Sequence, residues 1–309
     1  GLCKSGLAVA NARHFTWRGI VMGAQAQIQL VHADARLARE VLDQCVQEIE
    51  RLEDMFSLYR PASALNRLNQ DGELSRPDLS FTELIATALE ISRETDGAFD
   101  ISVQPLWNAY AKHFAAPDAD PAGPAKSVIQ QTLGLVDYRQ IHLSPQRVTL
   151  ARKGMALTLN GIAQGFATDR ISAVLKRNEF SNVLVHLGEL YGSGTRPDGT
   201  PWRAGIAMPD GSGAYQKTVR LQNRALATSG GYGHTFSTDG AHHHLFDPRT
   251  GRSASRYRSV SVAAPSDTHA DALATAFYIM PLTHIHTIVA LRADTNATIV
   301  KQDGRTIEL

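Results

Sequence analysis

Apolar residues recur along this chain at two different spacings, and the switches between them divide it into elements. From Ala33 to Phe56, the residues Leu37, Val41, Cys45, Ile49, Leu52 and Phe56 fall on one stripe three or four apart, which predicts an amphipathic helix. Further helices are predicted over 81–95, ending at the Asp96-Gly97 turn signal, and over 162–177, 267–280 and 282–292. Short alternating or continuously apolar runs predict strands at 20–31, 139–143, 147–151, 155–159, 182–187, 202–208, 216–221, 224–229, 241–247, 259–264 and 297–302. The Pro-, Ala- and Asp-rich segment 115–126 reads as surface loop, and a helix is expected to start near Gln104-Pro105. Strands and helices mix without regular alternation, which argues for an α+β or mixed α/β fold over a doubly wound sheet.

Composition narrows the class without deciding it. The 309 residues are 43% apolar and 20% charged, with a formal charge of +1, so nothing in the balance calls for nucleic acid. No apolar run reaches the roughly 20 residues of a membrane span. Two cysteines cannot make a disulfide scaffold, and Cys45 sits on a helical stripe as a core residue. Residues 1–19 read as a leader. Ala8-Val-Ala10 and Ala10-Asn-Ala12 have the form of an A-x-A cleavage site, so an exported, periplasmic protein is expected, either free or associated with the inner membrane. Leu2 before Cys3 argues against a lipid anchor.

Candidate chemistry concentrates in the segment from Ala264 to Met280. Ser266 is a good N-cap, and Asp271 and Thr275 stand four apart on one face of a helix that is otherwise apolar. A carboxylate and a hydroxyl a turn apart offer hard oxygens suited to Mg²⁺ beside a phosphate. The alternative is that Thr275 bonds back to a helix carbonyl and Asp271 pairs with an arginine. Asn160-Gly-Ile-Ala-Gln-Gly165 links strand to helix, where glycines allow close backbone approach and a helix N-terminus favours an anion; any α/β turn would also need them. In His242-His-His244, a strand would put His242 and His244 on one face and His243 on the other, too little for a zinc site.

Taken in order, Met22-Gly23, Phe56-Ser-Leu-Tyr59, Thr95 to Ser102, Asn160 to Asp169, His244-Leu-Phe-Asp-Pro-Arg-Thr-Gly251 and Ala264 to Met280 resemble the motifs of the ApbE-type FAD:protein FMN transferases. The resemblance spans about residues 20–300 and implies a domain over 20–309, built as two intertwined α/β subdomains with the nucleotide cleft between them. It implies that Asp271 and Thr275 hold Mg²⁺ with a backbone oxygen of Gly161 or Ala163. It also implies that Met22, Tyr59, Ala98, Phe99, Asp100, Thr158, Gln164, Leu245 and Phe246 line the site for FAD, the substrate. His244 is then the candidate base and Asp271 the second catalytic residue. A threonine hydroxyl of a target flavoprotein, a subunit of a membrane-bound respiratory complex, would take FMN while AMP leaves. The rivals are a Mg²⁺-dependent FAD diphosphatase and a flavin carrier without catalysis. Two positions depart from the family: Thr158 stands where an aspartate is usual, and Gln164 where a lysine or glutamate is frequent. Val185-His-Leu-Gly-Glu189 departs from N-L-G-G-[DN], so Glu189 carries no assigned role.

Overall fold

The structure, a computed structural model, describes residues 13–208 and 212–309. In chain order its elements are β1 (Arg13–Val21), β2 (Ala24–His32), α1 (Ala35–Phe56), α2 (Ala64–Asp71), β3 (Glu73–Ser75), α3 (Leu79–Glu94), α4 (Gln104–Phe114) and α5 (Lys126–Leu133). There follow β4 (Ile141–Ser144), β5 (Arg147–Leu150), α6 (Ala163–Arg177), β6 (Val183–Leu187), β7 (Leu190–Ser193), β8 (Trp202–Ala207), β9 (Tyr215–Leu221) and β10 (Arg224–Ser229). The chain closes with β11 (Phe246–Asp247), β12 (Arg252–Ser253), β13 (Tyr257–Ala264), α7 (Asp267–Ile279), α8 (Leu282–Leu291), β14 (Asn296–Lys301) and β15 (Thr306–Glu308).

Eight strands form one sheet in the order β1-β2-β6-β7-β10-β13-β14-β15, antiparallel at each junction. This is the mixed α/β class expected from the sequence. Side chains alternate across such a sheet, and the two faces have different covers. α7 packs on β10 and β13 and against α6, which lies on β6 beside α1. On the other face Trp202, Ala204, Ile206 and Leu221 of the β8–β9 ribbon meet Val31, Leu226 and Ala263. β13 is therefore covered on both sides, which is why residues 259–264 are buried without alternation. A satellite core of Leu106, Tyr110, Ile129 and Phe246 ties α4 and α5 to β11.

α1 forms where its stripe predicts. The Asp34 carboxylate accepts the Arg36 and Leu37 amides at its N-terminus, and Val41, Cys45, Ile49, Leu52 and Phe56 are buried. Three strand expectations change. The run 20–31 is a hairpin, because Met22 (φ 48°) and Gly23 (φ 82°) both take the left-handed conformation of a two-residue turn. Its first strand starts at Arg13, so residues 13–19 belong to the fold and not to the leader, and the signal reading of 1–12 lies outside the described residues. Segment 155–159 buries Met155, Leu157 and Leu159 with the expected period, yet it pairs with no strand. Instead the Asn69 side-chain amide takes both backbone groups of Leu157, at 2.6 and 2.9 Å. Segment 241–247 is irregular apart from an isolated bridge of His243 to Thr235 and the pair of residues in β11.

Candidate active site

A cleft of about 460 Å³ opens where the N-terminal end of α6, the Asp271–Thr275–Ile279 face of α7, the end of β10 and the 98–103 and 244–248 segments converge. It brings together Met22, Tyr59, Ala98, Phe99, Asp100, Thr158, Gly161, Gln164, His244, Leu245, Phe246, Asp271 and Thr275. Ala163 is the one expected residue not on this surface; it is buried in the first turn of α6, behind Gly161. The walls also carry Trp107, Glu189, Tyr232 and His234, which sequence reasoning did not assign, and Ser229, from the Gly-rich turn Ala227-Thr-Ser-Gly-Gly231 whose hydroxyls suit a phosphate. None of the residues lining the cleft is a lysine or an arginine.

Two helix starts hold each other in register at its floor. Asp271 of α7 accepts the Gly165 amide of α6 through Oδ2 at 3.1 Å, and the N-cap of α6, Ile162, supplies no side-chain cap of its own. In return Asp169 of α6 accepts the Asp267 and Thr268 amides, both at 2.9 Å, and the hydroxyls of Ser266 and Thr268. The helices meet so closely that a Cβ on Gly165 would lie 2.4 Å from the carbonyl oxygen of Asp267 and 2.9 Å from Cβ of Asp271. Gly165→Ala must therefore displace backbone. A net loss of about 2 kcal/mol is expected despite the better helix propensity of alanine, and an unchanged melting temperature would contradict this packing.

Neither structural alternative for the helix pair holds. Thr275 Oγ1 meets Ser229 Oγ at 3.2 Å rather than a helix carbonyl, and among the described residues no arginine reaches Asp271. A Cβ on Gly161 would stand 2.9 Å from Thr275 Oγ1, so the bare glycine keeps open the space over that hydroxyl. A carboxylate with one oxygen uncommitted, a hydroxyl and an open space suit a small hard cation. Burial raises the Asp271 carboxyl to about 7, and the Gly165 amide opposes the shift. Glu189 lies alongside, its Oε2 accepting the Thr228 amide at 3.2 Å; burial first and the Asp271 charge second push it well above the usual range. Asp267 is fully buried, and it too is pushed up, by burial and then by the Glu189 charge, with the neighbouring Thr168 hydroxyl opposing the shift.

At the opposite wall His244 Nδ1 faces the carbonyl oxygen of His234 at 3.0 Å. A carbonyl can only accept, so Nδ1 carries the proton and Nε2 keeps a lone pair. Burial lowers this imidazole to about 4, with the neighbouring histidines acting the same way, so it is neutral near pH 7. His243 is not the bystander that a strand would make it. It is 6% exposed, its Nε2 bonds the Ala254 carbonyl at 2.9 Å and its Nδ1 accepts the Leu245 amide at 3.3 Å. His243→Ala is expected to cost about 2–3 kcal/mol of stability, checked by urea unfolding; a stability change near zero would show the ring to be dispensable.

The remaining expected contacts divide by role. Asp100 borders the cleft, but its Oδ1 accepts the Ser102 amide and hydroxyl at 2.8 and 2.6 Å and its Oδ2 the Tyr138 amide at 3.0 Å, so both oxygens hold backbone. Thr158 Oγ1 accepts the Asn160 amide at 3.3 Å, tightening the turn into α6. Gln164 packs over Gly188, where a Cβ would lie 2.4 Å from its amide carbon. Tyr59, 73% exposed, stands at the rim above Gly23. Tyr232 had a legible signal, an aromatic set between glycines; a Cβ on Gly230 would sit 2.3 Å from its ring. Glu189 had one as well, a carboxylate two residues beyond the end of a strand whose alternate residues are buried.

The ApbE family model matches residues 22–299. The chain belongs to the ApbE family. It is therefore an enzyme, and the cleft is its candidate active site. It is 31% identical to the FAD:protein FMN transferase of Treponema pallidum (strain Nichols), over 88% of this chain and 80% of that protein. It is 29% identical to the FAD:protein FMN transferase of Escherichia coli (strain K12), over 85% and 77%. Among solved structures, the ApbE protein of Thermotoga maritima superposes with a TM-score of 0.82 at 26% identity, covering 96% of each chain. The flavin transferase ApbE of Vibrio cholerae superposes at 0.81 with 24% identity, over 96% of this chain and 97% of that one, a likeness of fold.

Proposed function

We propose that this chain transfers FMN from FAD to a threonine hydroxyl of a target flavoprotein with the help of Mg²⁺, releasing AMP. One observation carries the reading. The cleft has Asp271 and Glu189 on its wall and no lysine or arginine, so it accepts a diphosphate only together with a cation. Bound there, Mg²⁺ supplies the positive charge that the diphosphate needs. Asp271 and Thr275 would hold it, with the backbone at Gly161 beside them. The threonine oxygen bonds to the phosphorus on the FMN side as the bond to the AMP oxygen breaks. The hydroxyl proton passes to His244 Nε2, which is neutral and unbonded. The rest of the catalysis is alignment of the two oxygens, for which the tightly capped helix pair is a rigid frame.

Target flavoproteins anchored in respiratory membrane complexes, met on the periplasmic side, fit this chemistry. The deciding experiment incubates the enzyme with FAD, Mg²⁺ and a threonine-bearing flavoprotein fragment. Intact mass should show the fragment heavier by FMN less one water, with AMP formed in equal amount. FMN and AMP released in solution with the fragment unmodified would assign FAD hydrolysis instead.

A further inference from the structure

We infer that Glu189 and Asp271 together form a two-carboxylate seat that loads the divalent cation before the nucleotide arrives. The inference rests on the cation reading above and adds a ligand and an order of binding to it. Both carboxylates line the cleft. Each has one oxygen fixed by a backbone amide, Asp271 by Gly165 and Glu189 by Thr228, and no hydrogen bond among the described residues reaches the other oxygen. The two carboxyl groups share the cleft, and the fully buried carboxyl of Asp267 lies close to both. A wall without lysine or arginine offers this charge no internal partner. Hard oxygens from Asp271, Glu189 and Thr275 match the donors that Mg²⁺ and Mn²⁺ take, and two carboxylates bind such an ion more tightly than one. Asp271 and Thr275 alone would hold it weakly until the diphosphate oxygens completed the shell. With Glu189 the ion is already in place.

The test is Mn²⁺ binding to the full chain without FAD, followed by calorimetry and by the electron-spin resonance of the free ion. Wild-type protein should bind one Mn²⁺, and Glu189→Gln should weaken it about tenfold or more. The amide keeps an oxygen for Thr228, so the variant should melt no lower than wild type in EDTA; Glu189→Asp should recover part of the affinity. Unchanged Mn²⁺ affinity in Glu189→Gln, with affinity lost in Asp271→Asn, would overturn the inference and leave the cation site standing. Wild-type binding that appears only after FAD is added would do the same. No binding even with FAD present would remove the cation reading itself, and this inference with it.

Discussion

Asp271→Asn is expected to lose FMN transfer by about 10³-fold or more and yet to be more stable than wild type when no divalent cation is present. The asparagine keeps an oxygen for the Gly165 amide, so the start of α6 remains capped. What disappears is a buried charge. In the cation-free protein the Asp271 carboxyl is raised to about 7, above its value in the unfolded chain, so the folded state binds the extra proton between those two values. The stability from this proton is full below the unfolded pKa and is lost as pH rises through about 7. The advantage of Asp271→Asn in EDTA should therefore grow by roughly 2–3 kcal/mol between pH 5 and pH 8. Added Mg²⁺ should stabilise wild type and not the variant. Urea unfolding at both pH values, with and without Mg²⁺, reads all of this. An advantage that shrinks with pH would mean that Asp271 is already compensated by a partner within the fold.

Asp271 also shows where sequence reasoning stops. Its helix was legible, because Ser266 caps it and its apolar composition requires burial, and α7 begins one residue after that cap. The hard-oxygen pair was legible too, from a spacing of four on one face. Its partners were not. Gly165 lies 106 residues away, and the reciprocal clasp of Asp169 on α7 spans nearly as far. A one-dimensional pattern reports which face of an element is buried, not what buries it. The glycines of the 160–165 turn could be assigned to any strand-to-helix geometry until the contact with α7 showed why Gly165 admits no side chain.

The strand errors have the same origin. Leu157 alternates correctly between buried neighbours, but the groups that satisfy its backbone belong to Asn69, 88 residues earlier. Period two records burial on alternate sides and is blind to whether a ladder or a side chain supplies the hydrogen bonds. At 20–31 the chain reverses on Met22, a residue in which a left-handed conformation is uncommon, so no Asn-Gly or Gly-Gly pair announced the hairpin. Glu189 was passed over because it interrupts a family pattern. Its burial beside Asp271 is a tertiary fact that only the assembled sheet and helices display.

His244→Ala should slow transfer by about 10²- to 10⁴-fold while FAD still binds. An unperturbed imidazole would make the rate of wild type fall below pH 6.5 or so, but burial lowers this ring to about 4. At saturating Mg²⁺, the single-turnover rate should therefore stay level from about pH 8 to 5.5 and decline only on approach to 4. The low value limits the ring as an equilibrium base, yet it also keeps Nε2 unprotonated across the whole working range and aimed away from the His234 carbonyl that holds Nδ1. His243→Ala supplies the contrast. Its losses should appear as a smaller folded fraction, with the rate per folded molecule retained, because that ring is occupied by Ala254 and Leu245. A rate per folded molecule that falls equally in both variants would make the pair a structural clamp for the 244–248 segment.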